Sequence, residues 1–171
     1  GTDRINEAIK KLGRTDIELV MNLQGDEPLM NVADIQKLHT QMVKTKFEFG
    51  TLASNITDQK SYDNLNVVKV ITKESLDKSQ FPEAINFARK INDKPKNIYK
   101  HLGIYCYKLK TLEKFVSFNQ SVNEIKYKLE QLRALDNEIK INVAFAESSP
   151  IGVDTKEDFV AIKKIMEYKS K

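Results

Sequence analysis

One cysteine in 171 residues, no apolar run of membrane-spanning length and no low-complexity or Ser/Gly-rich tract: this chain is first bounded by what it lacks. The lone Cys106 excludes an intrachain disulfide and a Cys-rich metal site, and its alternation with Tyr105 and Tyr107 predicts a buried strand residue rather than a nucleophile. A bilayer span needs roughly 18 to 20 consecutive apolar residues. The amino terminus lacks the charged-then-apolar pattern of a secretory leader, so a cytoplasmic location is expected, with no membrane partner. Positive charge is in modest excess, net +4, but the lysines are scattered along helical segments rather than gathered in a stripe interleaved with aromatics. That argues against a nucleic-acid face.

What is there is ordinary for a single soluble core: 40% hydrophobic and 30% charged residues, from which one domain over residues 1–171 is expected. The spacing of Ile5, Ala8, Ile9 and Leu12 predicts a helix from about Asp3 to Leu12, with Thr2 as N-cap and Gly13 as its stop. Ile17 to Leu23 reads as a buried strand. Asn31 can cap a helix carrying Val32, Ile35, Leu38 and Met42. Short β-type runs at Gly50–Asn55, Val67–Thr72, Ala84–Ala88 and Leu102–Tyr107 predict an antiparallel or mixed sheet section. Helices are predicted over Leu112–Phe118 and over Glu124–Leu135, the latter with Ile125, Leu129, Leu132 and Leu135 on one face. A strand over Lys140–Ala146 then leads to a terminal helix bearing Phe159, Ile162 and Ile165, opened by a capping-box-like Thr155 and Asp158.

The most informative stretch is Asn22-Leu23-Gln24-Gly25-Asp26-Glu27-Pro28, which places two acids on a Gly/Pro-punctuated loop directly after an apolar strand. In an open α/β sheet such loops are where ligands bind. Asp154, in Ile151-Gly152-Val153-Asp154-Thr155, occupies a second position of the same type. Magnesium usually takes one or two carboxylates together with substrate phosphates and water, so the pair suits a shared metal site in which Asp26 and Asp154 approach one another. The alternative is that each acid caps the helix after its loop. Of the two histidines, His39 falls on a predicted helix and is expected to face solvent, whereas His101 precedes an apolar strand.

Six runs carry a resemblance in order along the chain: Gly1-Thr2-Asp3-Arg4, the Asn22 to Pro28 loop, Asn66-Val67-Val68-Lys69-Val70, Lys100 to Tyr107, Leu129-Glu130-Gln131-Leu132-Arg133 and Gly152-Val153-Asp154-Thr155. Together they resemble bacterial 3-deoxy-manno-octulosonate cytidylyltransferases, also called CMP-Kdo synthetases. The resemblance implies an α/β fold, an incomplete Rossmann-like nucleotidyltransferase (nucleotide-diphospho-sugar transferase-like) fold with a mixed sheet and flanking helices. It also implies a CTP-dependent transferase that joins CTP to the acid sugar Kdo for lipopolysaccharide biosynthesis, dependent on Mg2+ and working as a homodimer. The dimer contact is expected within residues 80 to 120.

By position the resemblance makes Asp26 and Asp154 the metal ligands and catalytic acids, and places Thr2 and Arg4 near the nucleotide. Gln24, Arg89, His101, Tyr105, Glu130 and Gln131 become sugar-binding residues, with the Arg89 guanidinium matched to the sugar carboxylate. The family opens with a strand and a phosphate-gripping loop of the type Pro-Ala-Arg-x-x-Ser-x-Arg-Leu-Pro-Gly-Lys, which these residues do not contain. A chain truncated relative to the family, inactive by itself and active when extended upstream, is therefore expected. The alternatives are a cytidylyltransferase for another acid sugar, such as a sialic acid, and a non-catalytic remnant that binds sugar or dimerises.

Overall fold

The computed structural model describes residues 1–93, 95–153 and 155–169, with the side chain of residue 169 excepted. In chain order its elements are α1 (Thr2–Leu12), β1 (Leu19–Asn22), α2 (Val32–Lys44), β2 (Phe49–Ser54), α3 (Gln59–Asp63), β3 (Lys69–Thr72), β4 (Ala84–Ala88), β5 (Ile98–Lys108), α4 (Leu109–Ser117), α5 (Val122–Tyr127), α6 (Gln131–Asp136), β6 (Asn142–Phe145) and α7 (Lys156–Lys169). Six strands form one mixed sheet in the order β4-β3-β5-β2-β6, with β1 added beside β5. Among the described residues the β2–β6 pair is parallel and the other strand pairs are antiparallel.

Period-two alternation along β5 sorts its side chains onto two faces. Tyr105 and Tyr107 join Phe49, Leu112, Phe115, Leu132 and Val143 in one apolar cluster, against which Ile5 and Ile9 of α1 pack. Ile104 and Cys106 join Leu38, Met42, Leu52 and Ala144 under α2 in the other. The helix sits close there: a Cβ on Gly50 would come within 2.8 Å of Met42 Sδ and of the Phe81 ring, and only glycine admits that approach.

Most expected elements are present within a residue or two, but β5 starts at Ile98 rather than Leu102, α4 at Leu109 rather than Leu112, and α3 is not among the expected elements; three further differences have a local physical cause. The helix expected over Glu124–Leu135 is two helices, because Lys128 takes a left-handed conformation (φ 54°) and the Leu129 N–H closes back on the Glu124 carbonyl. The break turns Leu129 into the core, whereas Ile125 stays 61% exposed. A Ser121–Glu124 capping box starts α5, and Glu124 also meets Arg133 of α6 through two hydrogen bonds of 2.7 and 2.6 Å, which folds the two short helices onto each other. Second, α1 begins one residue early: Gly1 is the N-cap and Thr2 is buried inside the helix, while Gly13 ends it in the left-handed region as expected. Third, β1 is half-buried rather than buried, since it lies outermost along the carboxyl-terminal half of β5.

Candidate active site

The site arises because β5 changes partners along one edge. Ile98, Tyr99 and Lys100 pair with β3, extended by the His101 N–H to the Val68 carbonyl, and Tyr105 to Lys108 pair with β1. Between them residues 102–104 have no strand on that side. On the opposite edge β2 registers Thr51 with Tyr105 but Leu52 with Leu102, so β5 bulges by two residues at the same place. Gln24, two residues beyond β1, lies over the bulge, with its side-chain amide 3.3 Å from where a Gly103 Cβ would stand. The gap opens as a cleft of about 460 Å³.

Seven of the residues expected from the sequence line that single cleft: Gln24, Asp26, Arg89, His101, Tyr105, Glu130 and Gln131. They come from four separate parts of the chain, which only the fold brings together. Thr2 does not line it: it is 1% exposed and its N–H donates to Glu130 Oε1 at 3.3 Å, with its side chain beside Tyr107. Arg4 lies exposed on α1 outside the cleft lining. Asp154 lies outside the described residues.

His101 is held as a neutral ring. The Thr51 hydroxyl gives its one proton to the Ile104 carbonyl at 2.7 Å, so its oxygen accepts from His101 Nε2–H at 2.9 Å, and Nδ1 remains an acceptor. Edge-on Phe87 at 5.0 Å and tilted Tyr105 at 5.5 Å enclose the imidazole. Burial pushes its pKa from 6.5 down to about 3. The ring therefore offers a fixed hydrogen-bonding atom, not a titrating one. Burial likewise drives the Tyr105 hydroxyl well above its ordinary range, with the Glu130 carboxylate adding to the shift, so it stays a neutral donor.

Cations and backbone carbonyls build the opposite wall. Lys69, fully buried on β3, donates Nζ to the carbonyls of Asn64 at 2.7 Å and Arg89 at 2.8 Å. Half-buried Arg89 in turn donates Nη1 to the Leu65 and Asn66 carbonyls at 3.1 and 3.3 Å. Glu130, with Thr2 N–H on one oxygen and Arg133 3.8 Å away, is set at the start of α6 beside Gln131.

The acidic loop meets the segment after β6. Buried Asp34 of α2 accepts the Glu147 and Ser148 N–H groups at 3.0 and 3.1 Å, Lys100 Nζ donates to the Pro150 carbonyl at 2.8 Å, and the Val153 N–H donates to the Asp26 carbonyl at 2.8 Å. These tethers hold residues 147–153 against α2, β5 and, at Val153, the acidic loop. Among the described residues no three His, Cys, Asp or Glu side chains gather as a self-sufficient metal centre. Asp26 is an exposed carboxylate on the cleft, the hard oxygen donor that magnesium combines with phosphate oxygens and water, so the residues present fit such an ion.

Sequence reasoning missed Lys69, Lys100 and Asp34. Lys69 and Lys100 both lay inside resembling runs, which was their available signal, and Lys69 also alternates with apolar strand residues. Nothing local marked Asp34, because it acts on a chain segment 113 and 114 residues away.

Comparison with known proteins adds the following. Residues 1–141 match the family model described as Cytidylyltransferase. The chain is 40% identical over 161 residues to an 8-amino-3,8-dideoxy-manno-octulosonate cytidylyltransferase of Shewanella halifaxensis, covering 92% of this chain and 65% of that one. It is 39% identical over 176 residues to a 3-deoxy-manno-octulosonate cytidylyltransferase of Thermodesulfovibrio yellowstonii, covering 97% and 69%. The chain thus spans about two thirds of the length of these relatives. A solved CMP:2-keto-3-deoxy-manno-octonic acid synthetase complexed with CTP superposes with a TM-score of 0.83 at 28% identity, covering 98% of this chain and 68% of that one.

Proposed function

The chain belongs to the cytidylyltransferase family, and on that premise we propose that its cleft binds the acid sugar Kdo for transfer of CMP from CTP, yielding CMP-Kdo and pyrophosphate for lipopolysaccharide synthesis in the cytoplasm. The observation that carries this reading is the convergence of Gln24, Arg89, His101, Tyr105, Glu130 and Gln131 on one cleft beside Asp26. In this reading Arg89 meets the sugar carboxylate, the neutral His101, Gln24 and Gln131 meet hydroxyls, and one sugar hydroxyl attacks the α-phosphate of CTP while pyrophosphate leaves. A magnesium ion on Asp26, with Asp154 as its second carboxylate, would offset charge where carboxylate and phosphate approach. The other groups act by holding the sugar in line, which is most of the work in phosphoryl-type transfer.

The test is pyrophosphate release from CTP, magnesium and Kdo by this chain extended upstream with a phosphate-gripping segment, before and after Asp26→Asn. Kdo-dependent release that falls at least about 100-fold in the variant supports the reading; release without Kdo, or full activity in Asp26→Asn, overturns it. The Shewanella relative favours a second reading, in which the sugar carries an 8-amino group. Direct competition between the two sugars separates them. We further propose a homodimer through the β4 edge, where Ile85 is 53% exposed beside Tyr127 at 49%. Sedimentation showing a monomer at high concentration would count against it.

A further inference from the structure

We infer that Lys69 is a positioning residue for Arg89, setting where the guanidinium stands in the cleft and so how strongly the cleft prefers a carboxylated sugar. The inference rests on the reading of Arg89 as the carboxylate group of the site.

A lysine with 0% exposure on a four-residue strand is costly to bury unless its ammonium is hydrogen-bonded. Among the described residues no carboxylate lies within ion-pair distance of it; its bonds go to two backbone carbonyls, Asn64 and Arg89, that belong to the two segments of one cleft wall. Arg89 closes the circuit by donating Nη1 to the carbonyls of Leu65 and Asn66. Three consecutive carbonyls, residues 64 to 66, are thereby pinned by two cations, and the same ammonium that pins the first also pins the backbone of the second cation.

Two features point from this arrangement to an anionic ligand. Burial pushes the Lys69 ammonium below its ordinary 10.5, with Asp63 drawing it back up and the nearby Arg89 charge lowering it further. Two cations bonded to one run of carbonyls, residues 64 to 66, repel each other, and a carboxylate entering beside Arg89 relieves that repulsion. In addition, Arg89 spends Nη1 on the carbonyls while its side chain lines the cleft. A guanidinium anchored at one nitrogen keeps a planar, preorganised fork for an incoming carboxylate.

The experiment is isothermal titration of the full chain with Kdo and with Kdo methyl ester, which differ in the carboxylate charge. The expected unaltered chain binds the acid at least tenfold better than the ester. Lys69→Met is expected to erase at least fivefold of that preference while affinity for the ester moves less than twofold. A merely structural role weakens both ligands alike, and that result overturns the inference. Arg89→Ala separates the two layers: preference lost in Arg89→Ala but kept in Lys69→Met overturns the positioning role alone, whereas preference kept in Arg89→Ala, or absent from the unaltered chain, overturns the reading of Arg89 beneath it. If Lys69→Met does not fold, Lys69→Gln, which retains an amide donor at shorter reach, is judged by the same ratio.

Discussion

Acidification should destabilise this fold through His101 before it reaches the carboxylates. The ring is neutral in the folded chain down to a pKa of about 3, against an ordinary 6.5, and burial is the cause. The unfolded chain therefore binds a proton near pH 6.5 that the folded chain refuses. Because the unfolded state holds more protons in this window, stability falls as pH falls, beginning near 6.5 and continuing until the folded ring itself protonates near 3. Integrated from pH 7.5 to 5, that linkage removes about 2 kcal/mol, a large share of the ~5–15 kcal/mol of a typical domain. Unpaired carboxylates titrate near 4 and contribute little above pH 5. Urea denaturation at half-unit pH steps from 7.5 to 5, on the natural chain and on His101→Gln, isolates the effect. The natural chain should lose about 2 kcal/mol and the variant should stay nearly level. Parallel curves for the two proteins would refute the argument, whatever their absolute stabilities. The same neutrality carries into function: no step in sugar binding should show a pKa near 6.5 that disappears in His101→Gln.

Removing one partner of the buried Glu124–Arg133 pair, whose side chains are 6% and 5% exposed, leaves a charge unpaired, so Arg133→Met should cost about 3–5 kcal/mol by urea denaturation; a loss below 1 kcal/mol would show that the pair is not what joins α5 to α6. Gly103→Ala puts a methyl 3.3 Å from the Gln24 amide, and the few tenths of an ångström that Gln24 must yield should weaken Kdo binding by roughly threefold, far less than the ~100-fold of a 1 Å misplacement; unchanged affinity would remove Gln24 from the sugar contacts. Cys106 is fully buried with its thiol pushed up to about 11, so an aromatic disulfide reagent at pH 8 should label it only as fast as the chain unfolds. Rapid labelling without urea would contradict its place under α2.

Local chemistry was legible in the chain itself wherever one residue's neighbours in sequence are also its neighbours in space. Gly13 after an apolar helical stripe, Asn31 before another, and Thr155 with Asp158 mark helix ends by hydrogen bonds that span two to four residues, and all three form. The strand at Ala84–Ala88 follows from a short β-type run bounded by polar and proline-containing clusters. The resemblance also named seven residues that line one cleft, Gln24, Asp26, Arg89, His101, Tyr105, Glu130 and Gln131, while placing Thr2 and Arg4 in a site they do not line. What sequence spacing did not carry is which side chains meet between separate elements. The helix expected through Lys128 breaks because Glu124 binds Arg133, nine residues on, more strongly than a continuous helix would allow. Thr2 looks like a surface cap until Tyr107 and Glu130 enclose it. Lys69 reads as one more surface lysine until the carbonyls of Asn64 and Arg89 meet over it. The cleft itself exists because β5, at 11 residues, is longer than any partner beside it and must leave a gap between β3 and β1. The apolar run at Leu102–Tyr107 is legible in the sequence, but its extension to Ile98–Lys108, and which short strands share its edge, are settled only when the two apolar faces of the sheet are buried together.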